Sequence, residues 1–142
     1  FSVGGNTALC FAAKYPELVD RLIVWGANLY PSGVKNIALI PIKILRKIVD
    51  LISKIDIRAK LHSEKLALVT NEPYISETEL ENIHARTLIL GGTHDIIKTE
   101  HTRLISRCIP KAKLCLIPGG HFISSRKPKI FNKAVLNFLE EK

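Results

Sequence analysis

An α/β fold with a parallel sheet is predicted by three observations on this 142-residue sequence. Short, unalternating apolar runs at 22–25, 87–90 and 113–117 suit strands buried on both faces. Helical periodicities separate those runs, as strand–helix alternation around a parallel sheet requires. Polar, chemically capable residues then follow the runs: His94 and Asp95 after the second, His121 after the third. In open α/β sheets, sites are built beyond the carboxyl ends of strands.

Residues 4–15 read as a helix. Ala8, Leu9, Ala12 and Ala13 put small apolar side chains on one broad face, and Pro16 marks the end. Leu22-Ile23-Val24-Trp25 is the first strand and stops at Gly26. Pro31-Ser32-Gly33 breaks the chain. From Ile42 on, Ile44, Ile48, Leu51, Ile52 and Ile55 recur at helical spacing, with Lys43, Lys47, Asp50 and Lys54 on the other face. A shorter helix covers 63–70, and Asn71-Glu72-Pro73 breaks again. Ser76-x-x-Glu79 reads as a capping box for a short helix to Ile83. Thr87-Leu88-Ile89-Leu90 is the second strand and runs out at Gly91-Gly92. A helix over 99–109 is stopped by Pro110. The third strand, 113–117, ends at Pro118-Gly119-Gly120, and a terminal helix over 128–141 carries the stripe Ile130, Phe131, Val135, Phe138.

A composition of 46% hydrophobic and 24% charged residues is that of a globular chain, and the length allows one sizeable core. There is no repeat and no low-complexity segment. The longest apolar stretch, 37–57, is interrupted by Pro41 and several basic residues and is not a membrane span. Cys10, Cys108 and Cys115 are odd in number and scattered, which excludes a disulfide framework. They read as small core hydrophobes in a reducing compartment, so a cytoplasmic location is expected. The net charge is +8, and half of the excess lies in 43–60. No nucleic-acid recognition motif accompanies it, so no nucleic-acid partner is expected. Membrane contact through the basic helix is the lesser reading; its apolar face is expected to turn inward over the site. His62, His84, His94 and His101 lack the tight spacing and the carboxylate or cysteine set of a metal centre, so no metal is expected.

The chemistry gathers elsewhere. Phe1-Ser2-Val3-Gly4-Gly5 fits four of the five positions of the G-x-S-x-G nucleophile elbow; the leading glycine would precede Phe1. A serine hydroxyl is a weak nucleophile unless it is held exposed and a base removes its proton. A tight strand-to-helix turn gives the exposure, and Gly4 and Gly5 keep the helix side small. The Val3 amide, at the helix start, would point at a developing oxyanion. The plainer reading of Ser2 is a helix N-cap, of Asp95 a turn aspartate, and of His121 an exposed loop histidine. Their chain order, Ser2, Asp95, His121, is that of the α/β-hydrolase triad, with His121 as base and Asp95 orienting the imidazole.

On these residues the sequence resembles the α/β-hydrolases. Residues 1–8 resemble the elbow and its helix, 88–95 the acid-bearing strand and loop, and 118–122 the histidine loop. Leu22-Ile23-Val24-Trp25-Gly26-Ala27-Asn28-Leu29-Tyr30 looks like the equivalent strand end in the biphenyl-hydrolase-like group. The resemblance implies a partial parallel sheet of the last three strands, flanked by helices, with a helical cap insertion. It divides the chain into 1–30 (elbow, helix and following strand), 31–80 (cap) and 81–142 (the part carrying acid and histidine). It implies a serine hydrolase that cleaves a carboxylic ester of a small-molecule acyl substrate through an acyl-enzyme, with no cofactor. Val3 stands where relatives of that group can carry an aspartate for a substrate amine, so amino-ester recognition is not implied. A non-catalytic binding protein on the same fold and an acyltransferase remain as alternatives.

Against 200–250 residues for one α/β domain, the chain is about 100 residues short. The resemblance implies preceding strands and a loop with a second oxyanion amide. The edge at 22–26 is therefore expected to be bare and apolar, covered by the missing N-terminal half, in the same or a second polypeptide, or by a homodimer. The 142 residues alone are expected to be poorly active, because one lost oxyanion donor costs ~10²–10³ in turnover.

Overall fold

The structure is a computed structural model and describes residues 1–52 and 57–141. Strands β1 (Arg21–Trp25), β2 (Arg86–Gly92) and β3 (Ala112–Ile117) form a parallel sheet in the order β1-β2-β3. Trp25 is paired with Leu90 and Gly92 with Ile117, so the carboxyl ends finish along one edge. Helices α1 (Ser2–Lys14), α4 (Glu77–Glu81) and α5 (Thr99–Cys108) cover one face; α6 (Ile123–Arg126) and α7 (Pro128–Glu140) cover the other. Between β1 and β2 the chain inserts α2 (Asn36–Ile52) and α3 (Ile57–Asn71).

The two-residue period of the strands sorts the core into two halves. Leu22, Val24 and Ile89 point to Leu9, Ala12, Leu80 and Ile105. Ile23, Trp25, Leu88, Leu90 and Ile117 point to Phe131 and Phe138. Both faces are covered, which is why the runs are apolar without alternation. Among the described residues β1 pairs only with β2, so its other side carries no strand.

The capping box stands as expected: Glu79 N–H donates to Ser76 Oγ at 3.2 Å, and Ser76 N–H donates to the Glu79 carboxylate at 2.7 Å. Ile75 and Leu80, just before the cap and within α4, belong to the core beside α1. Three single turns, Pro16–Leu18, Pro31–Gly33 and α6, were too short to show a period in the sequence.

Several expectations need correction. Pro41 does not break the apolar stretch; it lies inside α2, near enough to the start to withhold a donor from only an early carbonyl. Lys54, Ile55 and Asp56 of the expected helix and basic segment lie outside the described residues. Cys10 is exposed, because α1 turns its neighbours Leu9 and Ala12 inward; Cys108 and Cys115 are half-buried. Ile130 is half-exposed, leaving Phe131 and Phe138 as the buried stripe of α7.

The largest departure is α2. Its apolar face was expected to turn inward, yet Leu39 is its only buried residue. The helix is oriented by its polar side. Arg46 donates to Thr70 Oγ at 2.8 Å and to Asn71 Oδ1 at 2.7 Å on α3, and it pairs with Asp50 at 3.6 Å. Ser63 of α3 also bonds Asp50. No helix among the described residues is long and apolar enough to cross a membrane.

Candidate active site at the sheet edge

Ser2 opens α1 with φ 52°, the left-handed region that a serine enters only at a cost of about 1–2 kcal/mol. Such strain persists where the surroundings hold it, and a sharp turn before a helix leaves the side chain standing out. Gly5 carries the close approach: a Cβ there would lie 3.0 Å from Val24 and 3.2 Å from Ala27. Gly4 does not share that role, since a Cβ on it would meet nothing within 4 Å. Smallness is needed on the inner side of the turn alone. Val3 is in the first turn of α1, where backbone N–H groups lack intrahelical acceptors.

Asp95 follows β2 and is buried, at 2% exposure. Its Oδ1 accepts from Ile97 N–H at 3.0 Å and from His121 Nδ1 at 2.7 Å. Burial pushes its carboxyl up. The bonds from His121 and Ile97, the charge of a protonated His121 and a backbone contact at Gly92 outweigh that, holding it below the ordinary carboxylate value. The acid and histidine loops are tied by backbone: Thr93 N–H donates to Ile117 O at 3.0 Å, and His94 N–H to Gly119 O at 2.8 Å.

A carboxylate only accepts, so the Nδ1 facing Asp95 carries the proton in a neutral imidazole. Nε2 is then an acceptor, and it lies 3.2 Å from Ser2 Oγ. The structure thus brings Ser2, His121 and Asp95 into one hydrogen-bonded line. The other histidines are not gathered. His94 is exposed and contacts Thr93, while His62 and His84 are exposed. His101 is buried 2.9 Å from Leu29 N–H, which donates to its Nε2. No group of three or more histidine, cysteine or acidic residues among the described residues is placed to hold a metal ion.

The sequence reading passed over Gly26. It sits beyond β1 at φ +63°, and a Cβ there would come within 2.7 Å of His121 Cε1, 3.0 Å of Nδ1 and 3.2 Å of Phe1. Its signal was position: a glycine at the carboxyl end of a strand, on the edge where sites form. Also unread was the buried pair Asn6 and Asn28. Asn28 N–H donates to Asn6 Oδ1 at 2.9 Å, and Asn6 Nδ2 to Asn28 Oδ1 at 3.1 Å, fixing α1 against the loop after β1. A cleft of about 550 Å³ lined by Tyr30, Pro31, Asn36, Leu39, Lys43 and Tyr74 lies along that loop and α2; none of Ser2, Asp95 and His121 lines it.

No family model matches the chain. The mouse (Mus musculus) serine hydrolase BPHL is 27% identical over 155 residues, covering 99% of this chain and 53% of that protein. The mouse sn-1-specific diacylglycerol lipase ABHD11 is 26% identical over 174 residues, covering 97% and 57%. Among solved structures, the meta-cleavage product hydrolase of Pseudomonas fluorescens IP01 superposes with a TM-score of 0.70 at 22% identity, over 97% of this chain and 62% of that one. The chain spans about half the length of the curated relatives it matches. The parallel sheet, its flanking helices and this superposition show the α/β-hydrolase fold, and the chain is similar over nearly its whole length to that serine hydrolase and that lipase.

Proposed function

We propose that the chain carries the reacting residues of a serine hydrolase that cleaves a carboxylic ester of a small-molecule acyl substrate. One observation carries this reading: a left-handed Ser2 whose hydroxyl meets an imidazole that is itself held by a buried carboxylate. The relatives named as a serine hydrolase and a lipase support it.

Ser2 Oγ attacks the ester carbonyl while its proton passes to His121 Nε2. The bond to the leaving alkoxide breaks, and His121 returns the proton to that oxygen. Water then attacks the acyl-serine, giving its proton to His121, and Ser2 leaves with it as the acid departs. Asp95 stays ionised throughout and stabilises the imidazolium. Val3 N–H is one oxyanion donor. Residues 31–80 act as the cap.

The test is intact mass, before and after a fluorophosphonate probe, on the polypeptide that carries this chain, with the adduct mapped. A single adduct on Ser2 is expected. Ser2→Ala should take no adduct and lose about 10⁶-fold in ester turnover while keeping its fold. Labelling elsewhere, or esterase activity surviving Ser2→Ala, overturns the assignment.

A further inference from the structure

Two buried asparagines take no part in the chemistry above, yet they join the elements that carry it. Asn6 lies on α1 one helical turn after Ser2, on the same face. Asn28 lies in the loop after β1, just beyond Gly26, where a Cβ would strike the His121 ring. Asn6 Oδ1 accepts from Asn28 N–H at 2.9 Å, and Asn6 Nδ2 donates to Asn28 Oδ1 at 3.1 Å. Asn28 is also held from behind. Its Nδ2 donates to Tyr30 O at 3.1 Å, and the next amide, Leu29 N–H, donates to His101 Nε2 at 2.9 Å. These contacts close a circuit. Ser2 leads along α1 to Asn6, Asn6 to Asn28, the chain from Asn28 back to Gly26, and Gly26 to the His121 ring, whose Nε2 returns to Ser2 Oγ at 3.2 Å. Gly5 sets how near α1 comes to Val24 and Ala27, but apolar contacts are non-directional and let a helix roll. The asparagine pair resists that roll, because two bonds fix rotation as well as distance.

We propose that Asn6 and Asn28 are positioning residues for the nucleophile: their paired bonds lock the roll of α1 and so set Ser2 Oγ against His121 Nε2. The inference rests on the serine-hydrolase reading given above. Stability alone does not account for the pair. The backbone donor Asn28 N–H needs only one acceptor; the second bond joins two side chains, and such a bond contributes little net stability. What it adds is direction, and Ser2 needs direction. At 3.2 Å its hydroxyl is at the outer limit of the reach for proton transfer to an imidazole. A further displacement of about 1 Å at a reacting group costs about 10²-fold in rate.

The experiment measures ester turnover and the rate of fluorophosphonate labelling at Ser2, on the full polypeptide that carries this chain. Asn6→Leu removes both bonds of the pair and should lower kcat and the labelling rate by about 10²-fold, with KM little changed. Asn28→Ala keeps the backbone bond to Asn6 and removes the side-chain one; a loss of about tenfold is expected. It is the milder variant and decides the matter where Asn6→Leu does not fold. Asn28→Asp keeps an acceptor for Asn6 Nδ2 and gives up only the bond to Tyr30 O, so it should restore most of the rate that Asn28→Ala loses. The downfield Nδ1–H proton signal of His121 should persist in all three, because the pair acts on the serine side of the ring. Folded Asn6→Leu and Asn28→Ala with wild-type kcat would leave the pair a purely structural role and overturn the proposal. So would an Asn28→Asp as slow as Asn28→Ala, which moves the effect to the Tyr30 bond. A rate loss accompanied by loss of the His121 signal means that the whole edge has loosened, and overturns it equally. A wild type that takes no adduct on Ser2 sinks the hydrolase reading and this inference with it, whereas a labelled wild type with unslowed variants sinks this inference alone.

Discussion

Asp95 is 2% exposed and Ile37 is 83% exposed, so this molecule keeps a carboxylate inside and an isoleucine out. The two stand in regions ordered by different forces. At the sheet edge, parallel strands buried on both faces fix where each following loop begins, and the loops inherit that precision. Asp95 can be buried because Ile97 N–H and His121 satisfy it. In the α2–α3 hairpin no sheet dictates orientation. The Arg46 contacts to Thr70 and Asn71 tie the polar side of α2 to α3, and the apolar side is left over. Amphipathicity says that a helix has two faces; it does not say which face meets the rest of the protein.

The largest expected effect separates the regions by stability. Leu80 is fully buried against α1 and α5, so Leu80→Ala should cost about 2–5 kcal/mol in urea unfolding. Ile44→Ala, at an exposed site, should stay within about 0.5 kcal/mol. Equal costs at the two positions would mean that α2 is packed against something in the free protein, and the contrast would fail.

Next comes a test within the sheet edge. Gly26→Ala puts a Cβ where the His121 ring lies. If Gly26 seats the imidazole, turnover should fall by about 10²-fold with little change in KM, since a displacement of about 1 Å at a reacting group costs that much. The downfield Nδ1–H proton signal of His121, read by NMR, should weaken with it. Gly26→Asn discriminates the cause. Asparagine tolerates φ near +60° better than alanine does, so pure backbone strain predicts that it does less harm, whereas a steric seat predicts as much harm or more.

Much of this edge was legible in the chain. Asp95 and His121 follow strand-like runs, and a parallel sheet delivers such loops to one side whatever the connections between them; Ser2 was legible from the elbow pattern it shares with Gly4 and Gly5. The capping box at Ser76 was legible because both partners are three residues apart. What stayed hidden was contact between loops: Gly26 against His121, Asn6 against Asn28, and Leu29 against His101 lie 22 to 95 residues apart in sequence, and no local pattern links them. The facing of α2 was hidden for another reason. It is decided by one arginine and its partners on α3, a preference that the strength of the apolar period masks.

The smallest effect joins the two regions, because the loop after β1 both carries Gly26 and leads into α2. His101 holds that loop by accepting from Leu29 N–H, and Tyr30 meets its ring edge-on. Only the neutral ring can accept. Burial, with the nearby Lys98 charge, lowers its pKa from 6.5 to about 4. Between those values the unfolded chain binds a proton that the native one refuses, so stability rises with pH across that window and is lost as pH falls through it. The lowered carboxyl of Asp95 acts in the same direction but only below its ordinary 3.8, so the two windows do not overlap. Urea midpoints measured at steps between pH 4 and 7 should therefore decline toward acid in the wild type. His101→Gln keeps an acceptor for Leu29 without a titrating group, and its midpoint should be flatter over the same range. A decline that persists undiminished in His101→Gln would assign the acid sensitivity to other groups, and the loop would owe its hold to Gly33 and Tyr30 packing rather than to the charge state of one ring.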